Sequence, residues 1–182
     1  MILNRRTLFS LSNAAKEKSN AQVYSISTPF RHSPQLVYAL ISRVDLYHEF
    51  IPYCTSSFIK HRDQNLQPIE AGLRVGFQSF DEEFTCALDC TLDKSVRAES
   101  ISHSLFHKLS TTWTIDPLNT ATIQGSRAKL DLEFEFKSDL YNRVSKLFAN
   151  KVANLMSKAF QQRALEVYQN DLLLQKYGMQ RE

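Results

Sequence analysis

SRAKLDLEFEFKS, residues 126–138, runs directly into DLYNRVSKLFANKVANLMSKAFQQRALEVYQNDLLL, residues 139–174. In the first segment Ser126, Ala128, Leu130, Leu132, Phe134 and Phe136 alternate with Arg127, Lys129, Asp131, Glu133, Glu135 and Lys137. Successive strand residues point to opposite faces, so this strand has one dry face and one wholly charged face. After Ser138 the period becomes helical. At about 100° per residue, Val144, Phe148, Val152, Leu155, Met156, Ala159, Phe160 and Val167 gather in a stripe roughly 160° wide. Arg143, Lys146, Lys151 and Lys158 lie opposite, with no acid between Asp139 and Glu166. Leu147 interrupts the polar side and Arg163 the apolar side. A long helix with one apolar side must cover the sheet.

Upstream, residues 54–138 are rich in β-branched and aromatic residues, with breaks expected at 63–65, 70–72, 93–94 and 117–119 and six strands in all. An earlier strand, Val23 to Thr28, ends at Pro29. Ser33 then Pro34 supplies an N-cap and a proline at the first helical position, so a short helix runs to about Ser42. Asp45 is expected to cap a second short helix, Leu46 to Phe50, which Pro52 stops. The order predicts an α+β fold of helix-grip type: an antiparallel sheet of about seven strands curled around a long C-terminal helix, with two short helices after strand 1. Such a sheet meets the helix along only part of its concave face, which builds a cavity between them.

With 182 residues, 43% apolar and 23% charged, the chain is one globular domain that can bury an ordinary core. Its longest apolar run, Val37 to Ile41, falls far short of the roughly 20 residues that span a bilayer. The formal charge of +3 resides entirely in residues 1–20, where Arg5, Arg6, Lys16 and Lys18 face only Glu17. With Ile2, Leu3, Leu8, Phe9 and Leu11 interleaved, that segment has the composition of a mitochondrial transit peptide; a frayed basic tail is the competing reading. The domain is then 21–176, with a C-terminal tail at 177–182.

Catalytic and metal chemistry find little support. Asp81, Glu82 and Glu83 are strand neighbours pointing to opposite faces, so they form no carboxylate dyad and read as a solvated strand end. His103 and His107 have helical i, i+4 spacing but no third ligand. Cys86 and Cys90 on one strand lie about 13 Å apart, too far for a disulfide, and with Cys54 they read as buried free thiols. Four glycines and no phosphate-loop motif leave no signal for a nucleotide, a cofactor or a metal. A neutral domain also lacks the basic footprint of a nucleic-acid partner. The lysines of the long helix are a solvated face, or a face that rests on anionic lipid.

What remains is the cavity. Its expected lining is Tyr47, Phe50, Phe77, Phe84, Leu88, Trp113, Leu130, Phe134, Phe148, Val152 and Met156, an apolar set suited to an isoprenoid or acyl chain.

The run Asp45-Leu-Tyr-His-Glu-Phe-Ile-Pro-Tyr-Cys-Thr-Ser56 closely resembles mitochondrial coenzyme Q-binding START-domain proteins, of the wider polyketide cyclase and lipid-transfer superfamily. Further matches are residues 73–82, Phe106 to Leu109 leading to Trp113, Leu132 to Phe136, and Met156 to Phe160 with Arg163. The resemblance covers residues 22–170 and implies a START-like fold that binds without turnover. It implies coenzyme Q (ubiquinone) or a late polyprenyl precursor as bound ligand, with no cofactor. It also implies support of respiration and ubiquinone biosynthesis as a lipid chaperone, in peripheral contact with the matrix side of the inner membrane and with the quinone biosynthetic complex. A benzoquinone head carries acceptors only and wants donors such as Tyr47, Tyr53 or the Trp113 indole. By superfamily analogy, the mouth lies between residues 47–54, with Pro52 and Tyr53 among the ligand-binding set, and the start of the long helix. Two other readings stay open on the same fold: a cyclase or aromatase, which needs a buried acid–base group, and a module that inhibits ribosomal subunit association.

Overall fold

A computed structural model describes residues 21–77, 80–102, 104–119 and 124–177. The elements are β1 (Gln22–Phe30), α1 (Pro34–Ser42), a 3-10 turn (Val44–Leu46), α2 (Tyr47–Phe50), β2 (Cys54–Arg62), β3 (Pro68–Phe77), β4 (Phe80–Thr91), β5 (Ser95–Ser100), β6 (Phe106–Asn119), β7 (Gln124–Phe136) and α3 (Asp139–Tyr177). All seven strands form one antiparallel sheet in the order β1-β7-β6-β5-β4-β3-β2. From edge strand β1 the chain crosses through α1 and α2 to the opposite edge, β2. Six strands then meander back until β7 lies beside β1.

Several local expectations need correction. β1 runs through Pro29 to Phe30 because it is an edge strand, where a missing N–H leaves no ladder bond unmade. Residues 70–72 are strand rather than turn, since the Phe58 ring on β2 lies directly over Gly72 and fills the space its missing side chain leaves. The break expected at 63–65 is the one that turns the chain here: the Asp63 carboxylate accepts the amides of Asn65 and Gln67, and Leu66 takes a positive φ of 61°. β6 likewise continues through residues 117–119. The Ile115 amide points to the β5 side, donating to Lys94 O at 2.7 Å, so Pro117 turns its nitrogen the same way, beyond the end of β5. Asp45 caps nothing; its carboxylate pairs with Arg43 and its carbonyl accepts from the Ser57 hydroxyl. Ser33 does cap α1, accepting from the Leu36 amide at 3.3 Å.

α3 lies along β1 and β7 and touches α1 and α2. Among its described side chains the most buried are Asn142, Ala153, Phe160 and Ala164, which fall within about 40° on a helical wheel. The two alanines let the helix backbone approach closely. Val144, Phe148 and Val152 of the expected stripe have side chains outside the described residues. A polar seam fixes the helix on β1. Gln22 Nε2 donates to Ser145 Oγ at 2.7 Å, the Thr28 and Ser157 hydroxyls bond each other, and Gln161 Nε2 donates to Pro29 O at 3.0 Å. At the start of the helix Asn142 clamps the end of β7. Phe136 N–H donates to Asn142 Oδ1 at 2.8 Å, and Asn142 Nδ2 donates to Phe136 O at 2.7 Å.

Candidate functional site: the inner face of the sheet

Antiparallel partners share a face, so the register defines the rows of side chains on the side toward α3. One row runs Ile26, Leu130, Trp113, Val96, Cys90. The next runs Tyr24, Leu132, Thr111, Ala98, Leu88. Toward the free end of the β3–β4 hairpin follow Cys86 with Ala71, Phe84 with Leu73, and Glu82 with Val75.

Burial changes across these rows. Trp113, Leu130, Val96, Ile115 and Ala128 are buried beneath α1 and the C-terminal half of α3. Leu73, Val75, Glu82, Phe84, Ala98, Leu109, Thr111 and Leu132 are only half-buried, although they share the same face. α3 follows β1 and β7, so the inner face is sealed at one end and partly open at the other.

The sealed end is closed by rings around Phe160, which is 1% exposed. Its ring meets Trp113 at 5.1 Å, Phe50 at 5.2 Å and Tyr47 at 5.4 Å, all edge to face. Tyr47 donates its hydroxyl to Ile41 O at 2.5 Å, which commits the proton expected to serve a quinone carbonyl; burial pushes its ionisation far above the usual range. Arg163, the charge that interrupts the apolar side of α3, explains itself here. It pairs with Glu49 on α2 and lies 5.6 Å over the Phe50 ring, tying residues 47–50 to the long helix. A second aromatic group, Phe106, Phe134 and Phe136 with Tyr24, Phe84 and Tyr141, packs near the start of α3. Phe84 touches both groups.

The structure brings Tyr47, Phe50, Phe84, Leu88, Trp113, Leu130 and Met156 into one cluster. Phe134 belongs to the second group. Pro52 and Tyr53 are exposed in the turn after α2, where Tyr53 has a φ of 67° and its carbonyl accepts the Gly76 amide. The side chains of Phe77, Lys146, Phe148 and Val152 lie outside the described residues, as does His103. Arg143, Lys151 and Lys158 are exposed. The cysteines are free thiols, Cys54 and Cys86 buried and Cys90 half-buried. Burial raises all three and pushes Cys86 up to about 11, so none is a nucleophile at neutral pH. Among the described residues no three His, Cys, Asp or Glu converge to hold a metal, and no helix is long and apolar enough to cross a membrane.

The model of the family described as polyketide cyclase / dehydrase and lipid transport matches residues 31–161. The mitochondrial coenzyme Q-binding protein COQ10 of Eremothecium gossypii is 41% identical over 170 residues, covering 91% of this chain and 81% of that protein. That of Saccharomyces cerevisiae is 42% identical over 164 residues, covering 88% and 78%. The chain belongs to the COQ10 family. A START superfamily protein from Mycobacterium smegmatis shares the architecture with a TM-score of 0.70 at 18% identity, covering 80% of this chain and 98% of that one. This COQ10-family chain therefore has the START-like helix-grip fold, as its order of elements implies.

Sequence reasoning did not single out the half-buried inner-face positions Leu73, Val75, Ala98, Leu109, Thr111 and Leu132, and it placed Glu82 in solvent. The signal was present on β4. Glu82 has the same parity as Phe84, Cys86 and Leu88, so an inward Phe84 requires an inward Glu82.

Proposed function

We propose that this chain binds coenzyme Q or a late polyprenyl precursor on the half-open part of the sheet's inner face and chaperones it without chemical turnover. The observation that carries the reading is the pattern of burial: an apolar face sealed at one end by Phe160 and its ring neighbours, and half-open at Leu73, Val75, Phe84, Ala98, Leu109, Thr111 and Leu132, between that seal and the second buried group around Phe106 and Phe134. Membership of the COQ10 family supplies the ligand class. A polyprenyl tail gains about 0.8 kcal/mol for each CH₂ it buries there, and its length demands an open end. The relatives' printed name, coenzyme Q-binding protein, supports binding over catalysis.

The relatives above are named mitochondrial, which supports residues 1–20 as a transit peptide; within the mitochondrion the proposed place of action is the matrix side of the inner membrane, peripherally. Exposed Arg143, Lys151 and Lys158 on the outer side of α3 would rest on anionic headgroups, at about 1 kcal/mol each. Supply to respiratory enzymes and contact with the quinone biosynthetic complex are part of the same proposal. The test is mass spectrometry of the organic extract of protein purified from a quinone-rich host. A stoichiometric quinone or precursor is expected. Well-folded protein that extracts clean contradicts the reading.

A further inference from the structure

The coenzyme Q head exists as a quinone, whose ring oxygens only accept hydrogen bonds, and as a quinol, whose two hydroxyls donate. The polar groups on the half-open face discriminate between them. Two potential donors there are engaged within the protein: Cys54 Sγ donates to Ser56 O at 3.3 Å, and Ser100 Oγ to Ser102 O at 3.0 Å. Thr111 can donate or accept. Glu82 supplies a carboxylate, an acceptor when ionised.

Position makes Glu82 the decisive group. β4 pairs with β3 without a register break, so Glu82 stands opposite Val75 and two residues from Phe84, on the inner face. Its neighbours Asp81 and Glu83 are exposed on the outer face, where Arg74 pairs with Asp81 at 2.6 Å. None of the ion pairs among the described residues involves Glu82. A half-buried carboxylate beside Val75 and Phe84 repels the carbonyl oxygens of a quinone and accepts a charge-assisted bond from a phenolic hydroxyl.

We propose that Glu82 makes this site selective for the reduced quinol form of coenzyme Q, or for a phenolic precursor, over the oxidised quinone. The proposal rests on the coenzyme Q reading above and adds the redox state. A hydrogen bond to a charged group, discounted for partial exposure, corresponds to about a tenfold preference.

The test is equilibrium partition of a short-tailed ubiquinone analogue, and separately of its reduced form under argon, between detergent micelles and the full-length protein, read by chromatography. Wild type should take up the quinol about tenfold more tightly, a ratio set by one charged hydrogen bond. Glu82→Gln, whose amide both donates and accepts, should bring the two forms within about twofold. Glu83→Gln, on the outer face, should leave the preference intact. Equal or quinone-favouring uptake by wild type overturns the proposal while leaving coenzyme Q binding standing. A preference that survives Glu82→Gln, or that Glu83→Gln also erases, overturns the assignment to Glu82. Failure of wild type to take up either form contradicts the coenzyme Q reading itself.

Discussion

Replacing Phe160 and Phe84 in parallel separates the sealed end of the inner face from the open one. Phe160 is 1% exposed and holds three edge-to-face ring contacts, with Trp113, Phe50 and Tyr47. Phe160→Ala removes a whole buried ring from a site whose ring neighbours are held on α2 and β6 and cannot collapse, which costs about 3 to 5 kcal/mol. For a chain of this size, about 2 to 4 °C is lost per kcal/mol, so Tm should fall by roughly 10 °C or more. Phe160→Leu keeps most of the apolar volume but loses the ring contacts, at about 0.5 to 1.5 kcal/mol each. It should fall between wild type and Phe160→Ala. Phe84 is half-buried, so Phe84→Ala forfeits only part of the transfer energy of a ring, about 1 to 2 kcal/mol. Ligand retention should show the reverse order. Phe84→Ala should retain about fivefold less quinone than wild type, the equivalent of about 1 kcal/mol of lost contact, while folded Phe160→Leu should retain nearly all of it. Differential scanning calorimetry and quantitation of extracted quinone on the same preparations provide both axes. If Phe84→Ala costs as much stability as Phe160→Ala, or Phe160→Leu empties the site while Phe84→Ala does not, the assignment of sealed and open ends is wrong.

Four further outcomes follow from individual contacts. Tyr47→Phe orphans the buried Ile41 carbonyl and should cost about 1 to 3 kcal/mol in urea unfolding, yet leave quinone retention unchanged because that hydroxyl is already engaged. Asn142→Leu frees both the amide and the carbonyl of Phe136; about 2 to 4 kcal/mol should be lost, with faster hydrogen exchange at the end of β7. Arg163→Met breaks the tie to Glu49 and Phe50, both partly exposed, so the loss should be about 1 kcal/mol or less and should shrink in high salt. Cys86 is held neutral by burial, with its ionisation moved from 9.0 to about 11. Its contribution is therefore intact below pH 9 and declines as pH rises toward 11, by up to about 3 kcal/mol. Urea unfolding from pH 8 to 10.5 should show a shallower decline in Cys86→Ala than in wild type.

Much of this architecture is written in local pattern. The strict alternation of residues 126–136 and the helical period after 138 place β7 and α3, and Ser33 with Pro34 starts α1 where the structure starts it. Local signals mislead where a neighbour in space overrules them. Gly72 looks like a turn until Phe58 covers it, and Pro117 looks like a strand end until the short reach of β5 leaves its side of β6 free. The sheet's inner face was legible in its residue types but not in its depth. Which inner-face positions stay open depends on α3 lying along β1. That placement is held by bonds between Gln22 and Ser145, Thr28 and Ser157, and Gln161 and Pro29, partners more than 100 residues apart. No window of sequence contains both ends of such a contact. Glu82 illustrates the same point: read as part of an acidic run it belongs in solvent, and only the pairing of β4 with β3 turns it inward.

The location of the ligand can be measured by photo-cross-linking a short-tailed quinone carrying a photoreactive tail to the folded protein, followed by peptide mapping. Labels on Leu73, Phe84, Leu109, Thr111 and Leu132, competed away by unlabelled quinone, are expected if the half-open inner face is the binding site. Competable labels confined to the outer face of the sheet, or to the exposed side of α3, would contradict it.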